Sequence, residues 1–195
     1  MFNQVLAIDL KFAHYRPIKG GSFISLPMSL SLNQRRAIIN IKPWGLVDKQ
    51  NCFELSVLCG MFHKTLISEG KNLESSRTYK KYVNSQVLKF PCSFPMPISQ
   101  IPKFETMNQL RVNVYSLKFG SNCILPIHIS KRKNGLKINL LLIISKLGNH
   151  FCYIKDLNAL AQKGRRQVKQ KNNIYCERCL AGTSAFAKLI SKYFN

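Results

Sequence analysis

The run Ile138 to Ser145, INLLLIIS, constrains the fold more than any other part of the chain. Apart from Asn139 and the closing Ser145 it is apolar at consecutive positions, so neither side of an extended segment could face water. Such a strand belongs in the centre of its sheet. It is also far too short to cross a bilayer. RVNVYSL (Arg111 to Leu117), CILPIHI (Cys123 to Ile129) and HFCYI (His150 to Ile154) read as further strands. The turn-like links KRKNG and KLGN predict an antiparallel meander of the last three strands, with the apolar run in its centre.

Upstream, the stretch to about Leu32 is interrupted by Pro17, Gly20, Gly21 and Pro27, which predicts a short strand and extended connections. AIINI (Ala37 to Ile41) reads as a buried strand ending before Pro43. Phe53, Val57 and Met61 recur at helical spacing from Cys52 onwards, predicting the first helix. Residues 72–90 suggest a second helix with Tyr79, Tyr82 and Val83 on one face. Four prolines between Pro91 and Pro102 predict an extended loop. Asp156 can cap a short helix over DLNALAQ. The expected fold class is α+β, a helix-bearing N-terminal half packed on an antiparallel sheet. It comprises a core over 1–162, a basic linker over 163–173 and a finger-like CxxC module over 174–195.

Charge sets the function classes. The 195 residues carry 30 Lys and Arg against 8 Asp and Glu, a formal net charge of +22, while 46% apolar content favours a folded chain. Such a surplus predicts polyanionic partners, DNA or RNA, because phosphate contacts release condensed counterions. Residues 163–195 hold eight basic side chains and one acid, Glu177, so +7 lies there and +15 elsewhere. The opening residues lack the pattern of a secretory signal, and no membrane partner is expected. In the cytosolic or nuclear setting this implies, seven cysteines read as reduced thiols, core residues or ligands.

Three constellations could carry chemistry. Cys52 at a helix start would feel the positive end of the helix dipole, which favours its thiolate. His150 could act as its base, with Asp156 or a nearby amide as orienter and Gln50 as an oxyanion donor. Helix-borne Cys followed by strand-borne His is the chain order of papain-like and ovarian-tumour-type peptidases, and DKQNCF, beginning at Asp48, loosely resembles the latter. The bland reading makes Cys52 a core residue and Asp156 a helix cap. Second, Cys176 and Cys179 supply half of a tetrahedral zinc site, and no His, Cys or carboxylate follows between Leu180 and Asn195. No cofactor is therefore expected unless zinc finds further ligands elsewhere or on a partner chain. Third, Lys163, Arg165, Arg166, Lys169 and Lys171 form a cationic arm suited to phosphates, or a solvated linker.

The ordered strings YRPIKGGSFISLP, RRAIINIKPWGLVDKQNCFELSVLCGMFH, YKKY, FPMPISQIPKFE, VNVYSL, INLLLI, NHFCYIKDLNAL and YCERCL resemble the region preceding the DNA polymerase in proteins of Polinton (Maverick) mobile elements. The resemblance covers most of the chain. It implies an N-terminal extension of a protein-primed family B polymerase ending in a small Cys/His finger, here a fragment or decayed copy. Leu55 stands where the family has an aromatic, and the expected finger histidine falls near Lys192. Polymerase motifs are lacking, so polymerase activity is not assigned. Three readings follow: a non-catalytic nucleic-acid-associated domain working beside a separate polymerase or replication protein, a cysteine peptidase-like domain, and a protein-interaction module.

Overall fold

A computed structural model describes residues 21, 23–43, 51–118, 120–121, 123–146, 148–162 and 175–182. Its strands are β1 (Ile38–Ile39), β2 (Leu110–Lys118), β3 (Ile124–His128), β4 (Leu136–Ser145) and β5 (Gly148–Ile154). The helices are α1 (Leu32–Arg36), α2 (Cys52–Ser68), α3 (Lys80–Asn84), α4 (Ile101–Asn108) and α5 (Leu157–Ala161). The strands form one mixed sheet in the order β1-β5-β4-β2-β3.

The sheet is the middle of three layers. Alternate residues Val112, Val114, Ile138, Leu140, Leu142 and Phe151 face α2 and α4, where Phe53 packs edge-on against both Phe104 and Phe151. The intervening positions Tyr115, Leu117, Leu141, Ile143, Cys152 and Ile154 pack under Ile24, Leu30, Ala37 and Leu160. β4 occupies the central place its composition demands. Gly60 lets α2 approach it, since a Cβ there would stand 2.7 Å from Ile138 Cγ2.

The meander is not what forms. β3 pairs antiparallel with β2, and β4 lies on the other side of β2 and parallel to it, from Leu110↔Leu136 to Lys118↔Ile144. Of the two pairings in the expected meander, β4–β5 forms and β3–β4 does not. The reason lies in Pro126. It has no N–H to donate, so β3 suits a sheet edge rather than a place between two strands. The chain then crosses from β3 to β4 over the beginning of β2. Ser130 N–H donates to Asn113 Oδ1 at 3.0 Å, and Asn113 donates to Asn139 Oδ1 at 3.0 Å.

Three local expectations also change. Ser31 starts α1, its hydroxyl accepting from Gln34 N–H while Gln34 Oε1 accepts from Ser31 N–H, where extended chain was expected. The second helix is shorter, a 3-10 turn at Ser76–Tyr79 leading into α3. The proline segment is irregular only at first: a 3-10 turn at Ile98–Gln100 leads into α4, with Pro102 in the first turn, where no intrahelical N–H bond is lost. Asp156 caps α5 as expected, accepting from Ala159 N–H at 2.9 Å. Among the described residues no helix is long and apolar enough to cross a membrane.

Gly135 closes the crossover at φ 114, where a Cβ would meet Gln109 O at 2.3 Å. Gly135→Ala should destabilise the fold by about 1–3 kcal/mol in urea denaturation, with the m-value unchanged. Wild-type stability would show that the crossover does not constrain the sheet.

Candidate nucleic-acid interface

Cys52 and His150 do not form a hydrogen-bonded pair. β5 turns Phe151 toward α2, and its neighbours His150 and Cys152 toward the opposite face. His150 is 1% exposed, its Nε2 lying 2.8 Å from Asn40 Oδ1, while Asn40 Nδ2 donates to Ile24 O at 2.9 Å. Cys52 is 4% exposed, and its Sγ accepts Phe151 N–H at 3.5 Å. One turn on, Ser56 donates to Phe151 O at 3.1 Å. β1 pairs only with Ile154 and Tyr153, so these two α2 side chains bond the edge of β5 beyond it.

Burial pushes the Cys52 thiol up to about 11 despite backbone N–H bonds that lower it, the reverse of helix-dipole activation. Among the described residues, no hydrogen bond joins Cys52 to His150. Asp156 is occupied by its cap. Gln50, Asp48 and the arm Lys163, Arg165, Arg166, Lys169 and Lys171 lie outside the described residues.

Cys176 and Cys179 sit in a turn docked on the sheet. Tyr115 OH donates to Glu177 O at 3.0 Å, Lys137 pairs with the Glu177 carboxylate, and Tyr175 N–H donates to Asn158 Oδ1 at 3.0 Å. Hydrogen bonds from the backbone N–H groups of Arg178 and Cys179 hold the Cys176 thiol below its ordinary value. The pair would supply two of the four ligands of a zinc site, but no group of three or more His, Cys, Asp or Glu that could hold a metal occurs among the described residues.

The larger feature is one that the linear reading passes over. Arg111 and Lys137 are register partners at the beginnings of the parallel strands, and parity puts both on the face opposite α2. The crossover brings Lys131, Arg132 and Lys133 beside them, with Arg132 N–H on Ser130 Oγ. Arg178 follows Glu177, and Lys89 is tied to this end through two backbone bonds to the Asn108 side chain. Seven cations thus gather at one end of the sheet, with Glu177 as the acid among them.

Arg111 Nε and Arg132 Nε are buried and have no hydrogen-bond acceptor among the described residues. Buried donors without an acceptor are costly. The remaining local acid, Glu105, is engaged in the interior. Burial raises its carboxyl, but bonds from His128, Val112 N–H and Ser130 outweigh this and hold it below its ordinary value.

A second basic group, Lys64, Lys71, Arg77, Lys80 and Lys81 around α2 and α3, is interleaved with Glu69 and Glu74; Lys81 stands 3.9 Å from Glu69. It is the more compensated of the two. The KRK run was visible in the sequence, but its meeting with Arg111, Lys137 and Arg178 requires the crossover. Comparison with protein-family models, curated proteins and solved structures found no significant match.

Two predictions follow from the buried groups of α2. At pH 8 a small thiol reagent should label Cys123 and Cys179 ahead of Cys52; preferential labelling of Cys52 would show an activated thiol. Burial also raises Glu54 to about 7, above its ordinary 4.5. The fold therefore favours the protonated carboxyl, and this contribution to stability is full below pH 4.5 and lost as pH rises through 7. Glu54→Gln should gain about 1–3 kcal/mol at pH 8 and little at pH 4. An equal effect at both pH values would contradict the buried carboxyl as its cause.

Proposed function

We propose that the chain associates with nucleic acid, the phosphate backbone lying along the cationic end of the sheet built from Lys89, Arg111, Lys131, Arg132, Lys133, Lys137 and Arg178. The observation that carries this reading is the meeting of Arg111 and Lys137 with the crossover cations Lys131, Arg132 and Lys133, with little acidic compensation. Guanidinium N–H groups match phosphate oxygens in geometry as well as charge. The exposed lysines add affinity that does not depend on sequence.

The basic arm from Lys163 to Lys171 would extend the same contact. The resemblance to the region before a mobile-element polymerase supports a role beside replication machinery, with sequence choice left to that partner. The peptidase reading has less support. Cys52 is a buried neutral thiol that bonds a strand edge, and no hydrogen bond pairs it with His150.

Binding should weaken steeply with salt. Replacing Lys131, Arg132 and Lys133 together by Ala should cost about tenfold or more in affinity at low salt. It should also reduce the slope of log K against log salt by about 0.9 for each phosphate that the variant no longer neutralises. Replacing Lys64, Lys71 and Lys80 should change both much less. Absent or salt-indifferent binding, or equal effects from the two triple variants, would defeat the proposal.

A further inference from the structure

Residues 175–182 form a closed turn. Tyr175 and Gly182 are bridge partners, Cys176 N–H donates to Ala181 O at 2.9 Å, and Leu180 N–H donates to Cys176 O at 2.7 Å. Leu180 accepts a left-handed φ of 54 to complete it. Within the turn two residues, Glu177 and Arg178, separate Cys176 from Cys179. Cys179 is exposed and Cys176 half-buried, whereas Cys52, Cys59 and Cys152 are buried. A tight turn holds its first and fourth Cα atoms within about 7 Å, close to the span of a disulfide.

We propose that Cys176 and Cys179 form a redox-reactive dithiol, a modification site that exchanges with small-molecule disulfides and, on closing, loosens the turn from the cationic end of the sheet. The first part stands on the turn alone; the effect on binding rests on the nucleic-acid reading above. One thiol sulfur attacks the small disulfide, forming a mixed disulfide and expelling one thiolate. The other then attacks that protein sulfur, forms the Cys176–Cys179 bond and expels the second thiolate. The two cysteine protons end on the two released thiols, and the small disulfide is the species reduced.

Closure draws the two sulfurs to bonding distance and so changes the backbone of the turn that carries them. Glu177 and Arg178 lie between the two sulfurs. Glu177 makes the anchoring contacts to Tyr115 and Lys137, and Arg178 is one of the seven cations. Rearranging the turn therefore disturbs the anchor and withdraws a cation.

The test equilibrates the reduced full chain with oxidised glutathione, then applies alkylation, peptide mass spectrometry and hydrogen exchange. The Cys176–Cys179 peptide should lose the mass of two hydrogens and resist alkylation before the exposed single thiol Cys123 acquires a mixed disulfide. Cys179→Ser should leave a persistent adduct on Cys176. Exchange over 175–182 should rise on closure, and affinity for a short fluorescent duplex should fall by about threefold.

Separate adducts on the two thiols, or both remaining free while Cys123 reacts, would overturn the dithiol. Closure that leaves exchange and affinity unchanged would overturn the coupling. A reduced chain that never binds the duplex would instead sink the nucleic-acid reading, and mass spectrometry would still decide the dithiol.

Discussion

The parallel pairing of β2 with β4 is the constraint on which the rest of this structure depends. β4 is apolar on both faces and must be covered on both, and β2 beside it alternates into both cores. A parallel neighbour cannot be reached by a tight turn, so the chain must run back before β4 begins. β3 supplies that return along the outer side of β2, and the crossover from Ile129 to Gly135 completes it. The Asn113 side chain bonds this crossover to β2 and Asn139 of β4.

The same pairing assembles the cationic end. Parallel strands begin side by side, so Arg111 and Lys137 stand as neighbours on one face, and the crossover has to pass over them carrying Lys131, Arg132 and Lys133. An antiparallel meander would have put the KRK segment in a hairpin between β3 and β4. The electrostatic feature is thus a consequence of topology, which is why length, charge and motif reading point to polyanions without locating the contact.

Much of the secondary structure was legible. The strands at 111–117, 123–129, 138–145 and 150–154, the helix from Cys52 and the Asp156 cap all follow from periodicity and cap chemistry. Two signals lay in the sequence unused: Pro126 marks an edge strand, and Ser31 three residues before Gln34 is a capping box. The activation expected of Cys52 fails for a reason also visible in CFELSVLC. A helix start with so few polar residues is buried on most sides, and burial there outweighs the dipole. The meeting of His150 with Asn40, 110 positions apart, has no local signal at all.

The central claim is that a phosphate chain lies over the beginnings of β2 and β4. Acylation of lysine amines in the free chain and in its complex with duplex or single-stranded DNA tests it directly. The account predicts that Lys131, Lys133 and Lys137 lose reactivity in the complex while Lys64, Lys71 and Lys80 keep theirs. Protection confined to the α2–α3 lysines, or spread evenly over the surface, would contradict it.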